Sequence, residues 1–353
     1  MVSNYFFKGV TFGYYARNGY FSSDAAKREA DKIAALKIPW VCLISTIMQE
    51  QFSSTRQFRD FTITPGDDEL CDIIDYLHKL GIKVMLRPML ECWDGTQRCH
   101  IHLPNGEIFP DRPFRYRDRW FENYQAVTRH YTRIASRCGC EAYGLDSELN
   151  NLVINTDHWL KVIEVARAGF KGHLTTSLIN TQDYANLLKD NPNHWFYALD
   201  SVGTSMYRPA SQNGGGTVEE MAEYLAGDVR KCREFAKVYG GNFYFGECGC
   251  CATETASMRP YFWNNGKKYD GEEQAKYLAA VIRAFSAEPW WGGLLWWKWD
   301  EQNYRPQFHD DPAGDKGFTI DGKPAAQVMK RWCEGEGLSL IHISEPTRRY
   351  AIS

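Results

Sequence analysis

The chain alternates short apolar runs with amphipathic segments of helical spacing along almost its whole length, and this rhythm limits the fold more than any other feature. Residues 6–12 form a strand-like run, after which Ser22-Ser23-Asp24 caps a helix whose Ala26, Ala30, Ile33 and Ala34 make one apolar stripe. A second run, 40–44, leads to a helix that starts near Asp67, carries Leu70, Ile73, Ile74, Leu77 and Leu80 on one side, and stops at Gly81. Strand three is expected at 83–87. Its helix, 121–135, comes only after a long insertion, 89–120, rich in Pro, Gly, Arg and aromatic residues. The rhythm then repeats: strand 142–145 and helix 157–168, strand 173–178 and a short helix 184–189, strand 201–206 and a long helix 217–239, strand 242–245 and helix 272–287, strand 292–297 and helix 325–332. Strict alternation predicts an α/β fold with a parallel sheet, and eight units predict closure into a single (β/α)8 TIM barrel over residues 1–337.

Residues 338–353 break the pattern. Their opening, LSLIHISEPTR, is what the terminal repeat of a transposase-based sequencing adapter gives on translation, so this tail is expected to be non-native sequence fused to a reading frame from fragmented environmental DNA.

Charge narrows the choice of partner. With 41 basic against 44 acidic residues, a net charge of −3 and no long single-sign run, nothing recommends nucleic acid or an anionic membrane, and a neutral substrate fits best. The first twelve residues hold Lys8 as their only base and too short an apolar run for a signal sequence, and no later window approaches a membrane span. The sequence as it stands therefore reads as cytoplasmic, or as secreted if a leader has been removed. The eleven cysteines, odd in number and without a small-domain framework, are expected to be reduced thiols. Oligomeric state leaves no signature.

In a barrel the catalytic groups sit at the C-terminal ends of strands. Two glutamates occupy such places: Glu148, in Tyr143-Gly144-Leu145-Asp146-Ser147-Glu148 after strand four, and Glu247, in Phe243-Tyr244-Phe245-Gly246-Glu247 after strand seven. Those strands face each other across the mouth, so the two carboxyls can meet over its axis. Glycosidic bond cleavage needs such a pair, one carboxyl to protonate the leaving oxygen and one carboxylate to support the oxocarbenium-like transition state, with net retention when they stand about 5 Å apart. The 12 Trp, 20 Tyr and 19 Phe supply flat faces of the kind that sugars stack on, although most are expected to fill the core.

The arrangement resembles the clan of retaining barrel glycosidases whose acid/base follows strand four and whose nucleophile follows strand seven. Within that clan the chain is most similar to the family 113 β-mannanases, over nearly all of residues 6–332. The similarity rests on Lys8-Gly9-Val10-Thr11-Phe12-Gly13, Lys83-Val84-Met85-Leu86-Arg87-Pro88, Asp146-Ser147-Glu148-Leu149, Phe245-Gly246-Glu247, Leu295-Trp296-Trp297-Lys298-Trp299 and Gly322-Lys323-Pro324-Ala325. The resemblance implies Glu148 as acid/base, Glu247 as nucleophile, and β-1,4-linked mannan, glucomannan or manno-oligosaccharides as substrate, with no cofactor. Two departures stand out. Where much of the clan has an Asn that contacts the substrate's 2-hydroxyl, this chain has the shorter Ser147, and the loop Glu91-Cys92-Trp93-Asp94-Gly95 differs from the family pattern.

Strand-end position and the resemblance together put Tyr207 within reach of Glu247. Arg87 ends the expected strand three, where a charge must be paired or face the mouth, so contact with a carboxylate or a sugar hydroxyl is expected. Side chains alternate along a strand, so Trp296, Trp297 and Trp299 cannot share one direction; Trp297 is the expected sugar platform, with the others packed under helices. Trp93 is a further subsite candidate on the long loop. A metal is not expected: Cys138, Cys140, Cys248, Cys250 and Cys251 lack two spaced pairs, and His100 and His102 lie in a loop. Other β-glycans (cellulose, xylan, mixed-linkage glucan), exo-acting trimming of oligosaccharides, and a non-catalytic carbohydrate-binding barrel are the competing readings. The last should have lost a glutamate, and both are present.

Overall fold

Eight parallel strands pair in chain order and the last returns to the first. The computed structural model describes residues 5–104, 115–263, 267–301, 308 and 314–335, so the expected tail, 338–353, lies outside the described residues. The strands are β1 (Phe7–Phe12), β2 (Trp40–Gln49), β3 (Lys83–Cys92), β4 (Ala142–Gly144), β5 (His173–Ile179), β6 (Ser201–Met206), β7 (Asn242–Cys248) and β8 (Trp291–Trp296). Around them lie α1 (Asp24–Ala35), α2 (Asp67–Lys79), α3 (Tyr116–Arg137), α4 (Thr156–Gly169), α5 (Ala185–Asp190), α6 (Val218–Tyr224), α7 (Ala226–Tyr239), α8 (Gly271–Phe285) and α9 (Pro324–Glu334). The (β/α)8 barrel read from the alternation is the observed fold.

Alternation of side chains divides the interior in two. Phe7, Trp40, Cys42, Ile44, Met85, Met89, Ala142, Tyr244 and Leu295 point inward and form a core on the barrel axis. The opposite faces, with Val10, Val41, Leu43, Val84 and Leu86, pack outward against Ala26, Ala30, Ile33, Ile73, Ile74 and Leu77 of the helices. Each such buried aliphatic side chain contributes roughly 1.5–3 kcal/mol in transfer free energy, which makes this shell the main source of stability. Helix starts are fixed locally. Ser23 accepts from Ala26 N–H, Thr217 and Glu220 form a reciprocal capping box, and Asp270 accepts from Glu273 N–H.

Three differences from the expected elements bear on the site. The β2–β3 ladder continues from Trp40 opposite Lys83 to Gln49 opposite Cys92, so β3 is longer than expected and Arg87 lies in its middle instead of at its end. The expected helix 217–239 is two helices, α6 and α7, that share Leu225 as a junction just before Gly227, a poor helix former. Finally, β7 extends through Glu247 and carries an irregularity: Thr204 pairs with Phe245, but the next residue, Ser205, pairs with Glu247. Gly246 is thus the extra residue of a β-bulge.

The cysteines also depart from expectation. Cys71 of α2 and Cys138, just past α3, are joined in a disulfide with Cα atoms 5.7 Å apart, which corrects the reading of all thiols as reduced. A separation of 67 residues hides this pair from the sequence, because only the packing of adjacent helices brings it together. The other nine form no disulfide. Among the described residues, no helix is long and apolar enough to cross a membrane.

Candidate active site

The bulge decides where Glu247 points. Phe243 and Phe245 face outward and belong to the shell under the helices, so uninterrupted alternation would send residue 247 outward as well. The extra residue at Gly246 resets the count. Glu247 turns to the axis and Cys248 takes the outward place. Arg87 pins this turn from below: it runs across the interior from β3, donating through Nη1 to Gly246 O at 3.1 Å and through Nη2 to the Tyr244 hydroxyl at 3.1 Å. Gly144 leaves room for it, since a Cβ there would lie 2.8 Å from Arg87 Nε.

Glu247 is almost fully buried and accepts a hydrogen bond on each oxygen, from Ser147 Oγ to Oε1 at 2.9 Å and from the Tyr207 hydroxyl to Oε2 at 3.0 Å. Burial, joined by the charge of Glu148, pushes its carboxyl up to about 7, against the pull of Arg98, Arg87 and the Ser147 hydroxyl. Burial and the neighbouring carboxylates also hold the Tyr207 phenol well above its ordinary value, so it stays a donor.

Glu148 leaves the end of β4 in a left-handed conformation, φ 58°, unusual for a residue with a side chain. Its N–H donates to Ser177 O of β5 at 2.7 Å, and Asp146, which accepts from the Thr176 hydroxyl and from Leu149 N–H, closes the turn that carries Ser147 and Glu148. Burial raises the Asp146 carboxyl to about 7.

Arg98, which sequence reasoning missed, lies between the two glutamates. It opens a 3-10 turn, Arg98–His100, in the long β3–α3 segment, and its Nη2 stands 3.2 Å from Glu148 Oε2 and 3.9 Å from Glu247 Oε1. Those two oxygens can be no farther apart than these distances laid end to end. Retaining glycosidases hold their carboxyls about 5–5.5 Å apart and inverting ones about 6.5–9.5 Å, so the shared nitrogen removes most of the inverting range. Through Nη1 Arg98 also pairs with Glu91, whose Oε1 accepts from the Tyr14 hydroxyl at 2.9 Å. Only the length of the insertion pointed to this region; no local motif singles out Arg98, Glu91 or Tyr14.

The structure therefore brings together Glu148, Glu247, Ser147 and Tyr207. Arg87 serves the same group from beneath: it is wholly buried, and its charge meets a carbonyl and a phenol, not the sugar-facing mouth. Trp297 is half-buried, packs on the axial core, and presents its ring 5.0 Å from that of Tyr14. Trp296 and Trp299 are buried elsewhere, their indole N–H groups donating to Phe318 O and Glu29 Oε2. Trp93 is 60% exposed on its loop. Among the described residues, no cluster of His, Cys, Asp and Glu could hold a metal ion.

The family profile of Glycoside Hydrolase Family 113 matches residues 10–323. The chain belongs to glycoside hydrolase family 113. Among solved structures, this family 113 glycosidase is similar to a GH113 β-1,4-mannanase at 27% identity, with a TM-score of 0.78 and 94% of this chain and 99% of that one covered. It is also similar to the GH113 β-mannanase of Alicyclobacillus acidocaldarius in complex with ManMIm, at 25% identity and a TM-score of 0.79, covering 94% and 98%. A family 5 mannosidase from Rhizomucor miehei shares the fold at 11% identity, with a TM-score of 0.61 over 94% and 93% of the two chains. Comparison with curated protein sequences found no match.

Proposed function

We propose that this glycosidase hydrolyses β-1,4-linked mannan, glucomannan or manno-oligosaccharides with retention, Glu247 acting as nucleophile and Glu148 as general acid/base. The facing of the two carboxyls across the barrel mouth, both within reach of one guanidinium, carries the assignment. Glu247 accepts hydroxyl hydrogen bonds on both oxygens, which fixes its direction and offsets part of the cost of its burial, while Glu148 stands opposite, after β4, with Arg98 between the two carboxyls. In the first half-reaction the Glu247 carboxylate forms an ester bond to the anomeric carbon as the glycosidic bond breaks and Glu148 protonates the departing oxygen. In the second, Glu148 takes a proton from water as it attacks the same carbon, and the ester electrons return to Glu247. Trp297 provides the face for the sugar that occupies this position.

The β-mannan preference draws support from the family 113 structures that resemble this chain, which bear the name of β-1,4-mannanases. The test is hydrolysis of manno-, gluco- and xylo-oligosaccharides by wild type, Glu148→Gln and Glu247→Gln, with the anomeric configuration followed by NMR. Cleavage of the manno-series with retention and loss of turnover in both variants is expected. Inversion would remove Glu247 as nucleophile, and a preference for the gluco- or xylo-series would remove the mannan assignment.

A further inference from the structure

The double displacement moves a charge. In the free enzyme, on the reading just given, Glu247 is the anion and Glu148 holds the proton. In the glycosyl-enzyme Glu247 is a neutral ester and Glu148, having given its proton to the leaving oxygen, is the anion. The pair thus carries one negative charge throughout, and that charge passes from one side of the barrel mouth to the other.

One group touches both ends of this path. Arg98 Nη2 is 3.2 Å from Glu148 and 3.9 Å from Glu247, with its side chain only 11% exposed, so the attraction acts where water screens it little. The other nearby cation does not share this place: Arg87 has Cys42, Tyr244, Glu247 and Asp146 as its electrostatic neighbours, and is anchored under the bulge on the nucleophile's side. Arg98 is held from behind by Glu91, itself held by Tyr14, whose ring lies against Trp297. That chain of contacts fixes the guanidinium relative to the sugar platform as well as to the carboxyls.

We propose that Arg98 is the counter-ion of the single negative charge that passes between Glu247 and Glu148, a positioning residue that serves both half-reactions. The proposal rests on the assignment of roles to the two glutamates. The groups that face Glu247 are Glu148 and Ser147 after β4, Tyr207 after β6, Arg87 on β3, Cys42 on β2 and Arg98 on its turn. Arg98 is the only one of these, among the described residues, that is both cationic and in ion-pair contact with the two carboxylates.

The experiment uses a dinitrophenyl β-mannoside, or the corresponding mannobioside, with wild type, Arg98→Gln and Arg98→Lys. The pH profile of kcat/KM is recorded, and glycosylation and deglycosylation are separated by the pre-steady-state burst. Arg98→Gln is expected to move the acid limb up by about one pH unit and to slow both half-reactions at least tenfold; Arg98→Lys, which keeps the charge, should return the limb toward wild type. The lysine variant also covers the case in which glutamine prevents folding. An unmoved limb, a rise in KM at constant kcat, or a defect confined to one half-reaction overturns the proposal. Glu148→Ala with added azide tests the underlying assignment separately: formation of the β-mannosyl azide keeps Glu148 as acid/base whatever Arg98 does, and its absence removes the assignment itself.

Discussion

Tyr207 and Ser147 give Glu247 the two hydrogen bonds that make a buried carboxylate usable. Tyr207→Phe removes one donor without changing the ring, and kcat/KM should fall on the order of 10- to 100-fold, with the acid limb displaced upward. Steady-state rates across pH check both. The raised pKa of Glu247 has a second consequence, for stability. A carboxyl that titrates near 7 when folded and near its ordinary value when unfolded opposes folding as pH climbs through that window, and the opposition is complete above about 7. Glu247→Gln should therefore melt at a higher temperature than wild type at about pH 8, and the two should converge near pH 4, as calorimetry at the two values would show. Both glutamates were legible in the sequence because each follows an apolar strand, and Tyr207 was legible from its strand-end place together with the family resemblance; Ser147, expected where the clan has an Asn that contacts the substrate, instead donates to Glu247. Arg98 was not legible, since it reaches the carboxyls from a long irregular segment whose path only tertiary packing decides.

Among the elements, β7 and its bulge matter most. A Cβ at Gly246 would lie 2.2 Å from Ser177 Oγ and 3.5 Å from Arg87 Nη2. Gly246→Ala should thus cost about 1–3 kcal/mol of stability and, by shifting the bulge, lower kcat by more than the loss of folded enzyme explains. A melt and an active-site titration separate the two effects. Element type and order were readable from the period of the apolar residues, yet the ends of β2, β3 and β7 were not. Strand length depends on how far two ladders continue to pair, and a bulge leaves no mark but a glycine. Arg87 illustrates the result: read as a strand end it pointed to a carboxylate or a sugar hydroxyl, and the continuation of the ladder to Cys92 makes it an internal strut.

For the molecule as a whole, the apolar shell between barrel and helices supplies most of the stability, and the Cys71–Cys138 bond adds to it by tying α2 to the end of α3. Cys138→Ser is expected to lower stability by about 2–4 kcal/mol, matched by wild type under reductant, with turnover unchanged at moderate temperature. Equal melting curves with and without reductant would show that the bond contributes nothing. Removal of residues 338–353, which follow the last helix, should change neither the melting temperature nor kcat. The arrangement under Glu247 also bears on how such a site could be moved to another scaffold. Copying the glutamate alone onto a regular strand of a different barrel would deliver a carboxylate to the helix side. A working transplant needs three parts from three strands: the inserted glycine, the arginine beneath its carbonyl, and the serine against which the glycine packs with no room for a Cβ.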